Sequence, residues 1–343
     1  MKKLFLLSIL FVLTSKVVSQ IPFSTTEGEA NMVYALPKTE LCIQVETEKT
    51  TQKPGMFYRY SERYLATNKI ITEEKTSYRL KSVHILTRAL PDPSRTFSIS
   101  PAGNLHISLT SNGILCGLNV PSETITNNSK ATQSPAKESS RSEVLLPLGE
   151  EYMMAGSESK LAEGAAKQIY RIRESRLSLL TADVEKLPAD GESFKAMLDG
   201  MNALETELTE LFIGKKTIET QIQTLYLTPS SAVDNDVLFR LSALKGLVSA
   251  DDLSGVPYYI SIKPQEIKKA AADNKVKAPK AGIFYVLPAS TLITVGDGVN
   301  TFLTEQFFIP QFGITIPLPE NLLKLPTTKV SIDAQTGRLL RVE

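Results

Sequence analysis

The sequence predicts an α+β fold in which two related antiparallel β-rich units flank a long antiparallel helical hairpin. Three observations carry this prediction: apolar residues at helical spacing between residues 157 and 214, alternating apolar and polar residues on both sides of that segment, and a short motif that occurs once on each side. Alternation interrupted by closely spaced turns favours a sandwich or a barrel for each β-unit.

We expect the chain to contain five parts. They are a signal peptide at residues 1–19, an N-terminal β-rich domain at 20–120, a polar linker at 121–156, the helical hairpin at 157–214 and a C-terminal β-rich domain at 215–343. A length of 343 residues allows two or three domains that each bury a core.

The second helix of the hairpin has the clearest pattern in the chain. Its apolar seam alternates spacings of three and four residues, and Leu198 and Phe212 widen it. The seam consists of Phe194, Met197, Met201, Leu204, Leu208 and Leu211. Asp190 is expected to cap the start of this helix, and Gly214 is expected to end it in a left-handed conformation.

The first helix is predicted to begin near Ser157 or Ser159 and to end before Pro188, which cannot continue a helix. Its apolar seam is less regular than that of the second helix and consists of Leu161, Ala165, Ile169, Ile172, Leu179 and Leu180. The turn at residues 187–191 is short, so the two helices are expected to be antiparallel neighbours.

A basic run lies on the first helix, at Arg171, Arg173 and Arg176. The ordinary interpretation is a solvated face that pairs with Glu174 and its neighbours. The alternative interpretation is a surface that contacts an anion or a partner.

Three tyrosines gather in a predicted short amphipathic helix at residues 56–66: Tyr58, Tyr60 and Tyr64. Packing of these rings on the helices or on a sheet is their common use. The alternative is that they stack on sugar.

The two cysteines, Cys42 and Cys116, form either a disulfide or two separate thiols. The two histidines, His84 and His106, lie in strand patterns and lack the spacing of metal ligands. The sequence contains no motif that binds a nucleotide or another cofactor, so we expect none.

Residues 1–19 have the pattern of a secretory signal. Lys2 and Lys3 precede an apolar core at residues 4–13, which is too short for a stable membrane anchor. We therefore expect a mature chain that begins at Gln20, has no transmembrane anchor and is extracytoplasmic: periplasmic, on the cell surface or secreted. With 38 Lys and Arg against 37 Asp and Glu, the charge balance gives no indication of a nucleic-acid partner.

The motif Tyr-x-Leu-Pro-x-Ser/Thr-x-Leu occurs at residues 34–41 and again at 285–292. Downstream, Ser98-Ile99 with Gly103 and Leu105 resembles Ser331-Ile332 with Gly337 and Leu339. These matches predict two related β-units, although chance is an alternative for matches this short. In each unit the Leu-Pro step is expected to break one strand and start the next.

Seven segments together are similar to a known family: residues 34–39, 48–50, 53–55, 168–177, 187–191, 211–214 and 246–255. They resemble an uncharacterised family of secreted Bacteroidota proteins, the domain of unknown function 4831. The resemblance covers nearly all of the mature chain and implies a Gram-negative envelope. It implies no activity, cofactor or catalytic residue.

The leading functional hypothesis is a non-catalytic envelope protein with a binding or scaffolding role, which uses the helical hairpin and the β-units to contact an envelope protein or a surface polymer. The sequence lacks the serine elbow of hydrolases, and the one Ser-x-x-Lys, at residues 157–160, has no supporting second motif. Two alternatives remain. One is a secreted hydrolase that acts on glycan or peptide with carboxylates in an inter-domain cleft. The other is a carbohydrate-binding module.

Overall fold

A computed structural model describes residues 32–99, 106–120, 150–154, 156–181, 183, 190–267, 283–319 and 328–343. The expected signal peptide, most of the expected linker and residues 187–189 of the expected helix turn lie outside these residues. The described part of the chain is mixed and mostly β, and its sheets are antiparallel.

Twelve strands and four α-helices follow one another along the described residues. The strands are β1 Met32–Lys53, β2 Lys75–Ile99, β3 Ile107–Leu109, β4 Leu115–Leu118, β5 Lys215–Leu227, β6 Val233–Ser242, β7 Gly246–Val248, β8 Val256–Pro264, β9 Phe284–Gly296, β10 Thr301–Pro317, β11 Val330–Ile332 and β12 Leu339–Val342. The helices are α1 Ser61–Leu65, preceded by a 3₁₀ turn at Tyr58–Tyr60, then α2 Glu150–Met153, α3 Glu158–Leu180 and α4 Gly191–Ile213.

The strands form three sheets, with the orders β2-β1-β5, β10-β9-β8-β6-β7 and β12-β11-β4-β3. We call them the first, second and third sheets. The first and third sheets each combine strands from both sides of the long helices, because β5 pairs with β1 and β11 pairs with β4. This corrects the expectation that each β-rich unit builds its own sheet.

The main core contains the inner faces of the first and second sheets. Alternate residues of β1 are fully buried there, as the pattern at Leu41, Ile43 and Val45 predicts. A second core also joins both halves of the chain: Tyr34 of β1 is buried in it and its hydroxyl accepts a hydrogen bond from the backbone N–H of Phe284, at 2.8 Å. The fold is thus held by contacts between residues far apart in sequence.

Both Leu-Pro steps lie inside continuous strands, β1 and β9. The expectation that they separate two strands is wrong. Each strand pair instead accommodates its proline step with a bulge. One residue of β1, Leu36, lies opposite residues 92–95 of β2, and one residue of β9, Pro288, lies opposite residues 310–313 of β10.

The hairpin turns of the third sheet contact these two strands in the same way. The N–H of Ala35 donates to the carbonyl of Gly113 at 2.9 Å, and the N–H of Val286 donates to the carbonyl of Gly337 at 2.7 Å. Ala35 and Val286 occupy equivalent positions of the sequence motif. Gly113 and Gly337, with φ of +80° and +71°, adopt the left-handed backbone that glycine permits. The structure therefore matches Gly337 with Gly113 rather than with Gly103, which lies outside the described residues.

Helices α3 and α4 have 23 residues each. Asp190 caps α4 as predicted, because its carboxylate accepts from the N–H of Ser193 at 2.7 Å, and Gly214 ends it with a φ of +90°. The predicted seam of α4 is fully buried only near its C-terminal end, at Leu208 and Phe212. In α3, Leu180 was expected in the seam but is 61% exposed.

The connection between β1 and β2 holds the C-terminal end of α4. The last carbonyls of a helix have no partner within it. Here three of them accept hydrogen bonds from that connection: Leu211 from the N–H of Phe57 at 2.7 Å, Phe212 from the hydroxyl of Ser61 at 2.8 Å, and Ile213 from the N–H of Ile71 at 2.8 Å. The long helices are therefore anchored to the first sheet at one end.

Candidate partner-binding surface

Tyrosine and arginine side chains from two segments form one exposed surface beside the anchored helix end. The hydroxyl of Tyr170, on α3, donates to the carbonyl of Tyr64, on α1, at 2.9 Å and so joins the two segments. Tyr170 is nevertheless 50% exposed. We call the following residues the tyrosine–arginine surface: Tyr58, Arg59, Arg63, Tyr64, Tyr170, Arg171 and Arg173. Arg171 is included because it is exposed and directly follows Tyr170 on α3.

Three guanidinium groups of this surface lie over tyrosine rings. The distances to the ring centroids are 5.6 Å for Arg59 over Tyr58, 5.3 Å for Arg63 over Tyr64 and 5.7 Å for Arg173 over Tyr170. Cation–π contacts of this kind order exposed side chains before a partner arrives. Tyrosine and arginine are also the residue types that dominate binding energy at protein interfaces.

Two arginines of the basic run on α3 pair with α4 and, among the described residues, not within α3. Arg173 and Arg176 both form ion pairs with Glu205 of α4, the first at 2.6 Å. The interpretation that Glu174 and its neighbours pair with this run is therefore wrong. Arg171 is exposed and takes no part in an ion pair among the described residues.

Glu205 is largely buried, with 14% of its side chain exposed. Burial acts to raise the pKa of its carboxyl, but hydrogen bonds and charge from Arg173 and Arg176 outweigh burial, so the pKa is lowered. Glu205 therefore stays ionised at neutral pH and holds α3 against α4.

Substitution of Glu205 with Gln is expected to cost about 1 kcal/mol of unfolding free energy at pH 7, because two ion pairs are lost. A lowered pKa stabilises the folded state above the unfolded pKa, and this contribution is lost as the pH falls through the folded pKa. The difference between the two proteins should thus be constant above about pH 5 and should decrease as the pH falls below about 4.3, the ordinary pKa of Glu, and through the lower folded pKa. Urea unfolding across this range measures it. Glu207→Gln, an exposed change on the same helix, is the control, and an equal effect of both changes would contradict the role of Glu205.

The three predicted tyrosines do lie together, but they serve two purposes. Tyr60 and Tyr64, with ring centroids 6.3 Å apart, pack in part against the core between α3 and α4. Tyr58 is half-buried and forms a hydrogen bond through its hydroxyl with Arg59 at 3.1 Å. Only part of each ring is thus available to a partner.

The structure forms no disulfide between Cys42 and Cys116, both of which are described. Cys42 lies on β1, with Leu86 and Tyr226 as its cross-strand neighbours. Cys116 lies on β4 in the third sheet. Of the two alternatives, the structure thus shows separate thiols.

A shallow cavity of about 180 Å³ lies at one end of the second sheet. It is lined by Asn235, Tyr259, Ser261, Thr294, Gly296, Gly298, Val299, Asn300 and Thr301. The hydrolase hypothesis requires a pair of carboxylates facing one pocket, and this lining contains no Asp or Glu. Within the described ranges, no group of three His, Cys, Asp or Glu side chains is placed to hold a metal ion.

Three members of the tyrosine–arginine surface were not predicted from the sequence: Tyr170, Arg59 and Arg63. Glu205, which pairs with Arg173, was not predicted either. Tyr170 has no pattern of its own, because only the fold brings it to Tyr64. One signal was present for Arg63: it directly precedes Tyr64, as Arg59 directly follows Tyr58. Glu205 lies 32 residues from Arg173 in sequence, so no local rule pairs the two.

No helix in the described part of the chain is long and apolar enough to cross a membrane. Comparison with curated proteins and with solved structures finds no match. One family model, described as a domain of unknown function (DUF4831), matches residues 30–340. Because this match spans most of the sequence, the chain belongs to the DUF4831 family.

Proposed function

We propose that this chain is a non-catalytic, extracytoplasmic envelope protein that binds a partner through the tyrosine–arginine surface. One observation carries the proposal: Tyr170 is held in place by Tyr64 and Arg173, yet half of it remains exposed. A ring that is both fixed and exposed loses little conformational entropy when a partner covers it.

The charge of the surface indicates an acidic partner. Arg63 and Arg171 are exposed and form no ion pair within the described ranges. A guanidinium group matches a carboxylate or a phosphate through two parallel hydrogen bonds. We propose an acidic face of an envelope protein as the partner. An acidic surface polymer is the alternative occupant.

The proposed location rests on the pattern of residues 1–19, which predicts export.

We also propose that α3 and α4 form an antiparallel hairpin. Contacts support it, since Arg173 meets Glu205 while Arg176, further along α3, meets Asn202, which precedes Glu205 on α4. In such a hairpin the end remote from the anchored C-terminus of α4 extends away from the sheets.

We propose, in addition, that the hairpins β1-β2 and β9-β10 are copies of one ancestral unit. Each copy carries a Leu-Pro step with a bulge of one residue against four beside it. In each copy the residue after the motif tyrosine also donates its N–H to the glycine carbonyl of a turn in the third sheet. Because the two hairpins share three features and not only a short motif, a chance resemblance between them is a weaker explanation.

Reversing the exposed charges tests the binding role. The double substitution Arg63→Glu and Arg171→Glu is expected to reduce capture of the partner from envelope extracts by about tenfold or more, since two favourable contacts become repulsive. The matched control is Lys195→Glu with Lys329→Glu, which makes the same change in net charge at exposed positions elsewhere. Equal capture by both variants would contradict the proposal. Loss of a polymer rather than a protein would identify the alternative occupant.

A further inference from the structure

β5 is an unusually regular edge strand. It has 13 residues, lies at one edge of the first sheet and pairs with β1 without a register shift. Proteins ordinarily protect sheet edges with bulges, prolines or short strands. The other edge strands in the described residues follow this rule: β2 and β10 carry bulges, and β3, β7 and β12 have three or four residues.

An apolar stripe runs along the outer face of β5. Ile218, Ile222 and Tyr226 are 54%, 51% and 61% exposed. Because side chains of a strand alternate between its two faces, these three residues project from the same face. Leu225 and Leu227, which alternate with them, pack in part against the main core. One face of β5 therefore contacts the core at its C-terminal end, through Leu225 and Leu227, and the other face is open in the described part of the chain.

The open edge also presents backbone hydrogen-bonding groups. The carbonyl of Gln221 points toward β1, since it accepts from the hydroxyl of Thr47 at 3.4 Å. In an antiparallel ladder the backbone groups of successive residues point to opposite sides of the strand. The N–H and C=O groups of Thr220, Ile222 and Thr224 therefore point to the open edge.

We propose that β5 pairs with β5 of a second copy of this chain, antiparallel and centred on Ile222. In this register Ile222 lies opposite its own counterpart, Ile218 lies opposite Tyr226, and Thr220 lies opposite Thr224. These are residues whose backbone groups face the edge, so both strands can complete their ladders. The two three-stranded sheets then form one sheet of six strands.

The side chains of β5 are suited to pairing with β5 of a second copy. The outer face pairs two isoleucines, two threonines, and an isoleucine with a tyrosine, which are among the cross-strand pairs that stabilise antiparallel sheets. Like charges do not meet, because Glu219 lies opposite Leu225, and Lys216 lies opposite Thr228, beyond the strand. A strand that is complementary to itself suits a two-fold symmetric interface, where the same patch serves both copies.

Sedimentation analysis of the chain from Gln20 onward tests the proposal. We expect a dimer that Ile222→Lys dissociates, with a dissociation constant raised at least about tenfold, because two lysines then face each other across the axis. His84→Lys, an exposed change on β2 of the same sheet, should leave the dimer intact. A monomeric unmodified chain, or a dimer that persists in the Ile222→Lys variant, would overturn the proposal.

Disulfide trapping tests the register. In a background of Cys42→Ser and Cys116→Ser, Ile222→Cys should form a covalent dimer on mild oxidation, since paired α-carbons lie about 5.5 Å apart. Ile218→Cys should not, because two residues 218 would be about 26 Å apart. Equal trapping of both variants, or of neither, would overturn this arrangement.

Discussion

Substitution of Phe212 with Ala is expected to reduce the free energy of unfolding by about 3–5 kcal/mol, the usual cost of removing a fully buried phenylalanine ring. Phe212 is 0% exposed and its ring contacts that of Phe57, with centroids 5.5 Å apart. The pair lies where α4 meets the connection between β1 and β2, so the lost ring leaves a cavity at the anchor of the helices. Urea unfolding followed by circular dichroism measures the change.

Phe308→Ala provides the control for this prediction. Phe308 lies on β10 and is 52% exposed, so we expect a cost below about 1 kcal/mol. If Phe212→Ala were as mild as the control, the packing of α3 and α4 on the first sheet would be wrong.

Substitution of Arg95 with Met is expected to cost about 3–5 kcal/mol, because it leaves a largely buried carboxylate without its counter-ion. The guanidinium group of Arg95 donates to the carboxylate of Asp92 at 2.7 Å and to the carbonyls of Pro37 at 2.8 Å and Pro310 at 3.0 Å. It thus joins both bulges beside the Leu-Pro steps. Asp92 itself is 7% exposed.

Two variants separate the effect of Arg95 from a general loss of charge. Asp92→Asn combined with Arg95→Met should recover part of the lost stability, since the buried charge is removed together with its partner. Arg341→Met removes an arginine that pairs with Glu343 at an exposed site and should cost about 1 kcal/mol or less. Equal costs for Arg95→Met and Arg341→Met would contradict the role assigned to Arg95.

Local features of the fold could be predicted from the sequence because their causes are local. The cap at Asp190 and the end of α4 at Gly214 depend on residues within one turn. The buried face of β1 follows from alternation over five residues, 41–45. The β-strands on both sides of the helices were predicted for the same reason.

Pairing between distant segments could not be predicted in this way. Nothing in the composition of β5 indicates that it crosses back to β1, since its exposed apolar stripe resembles that of any half-buried strand. Proline normally suggests the end of a strand, yet the bulges opposite Leu36 and Pro288 let β1 and β9 continue. The bulge that accommodates each proline lies in the partner strand, so the sequence around the proline does not reveal it.

The candidate site was predicted only in part. The sequence shows a cluster of arginines that begins at Arg171 and a cluster of tyrosines that begins at Tyr58. The structure brings these two segments together through the hydrogen bond between Tyr170 and Tyr64. Which arginines remain available for a partner depends on Glu205, which neutralises Arg173 and Arg176 from another helix. Which arginines remain unpaired is therefore decided by contacts between the two helices, and the local sequence does not predict it.

Site-specific photo-crosslinking in the native envelope is the direct test of a partner at the tyrosine–arginine surface. A photoreactive phenylalanine analogue at position 170 is compared with the same residue at position 253, where Leu253 is 80% exposed and distant in sequence from the surface. We predict a discrete adduct from position 170 alone, and its loss when Arg63→Glu and Arg171→Glu are added. Adducts of equal yield from both positions, or none from position 170, would contradict a partner at the tyrosine–arginine surface.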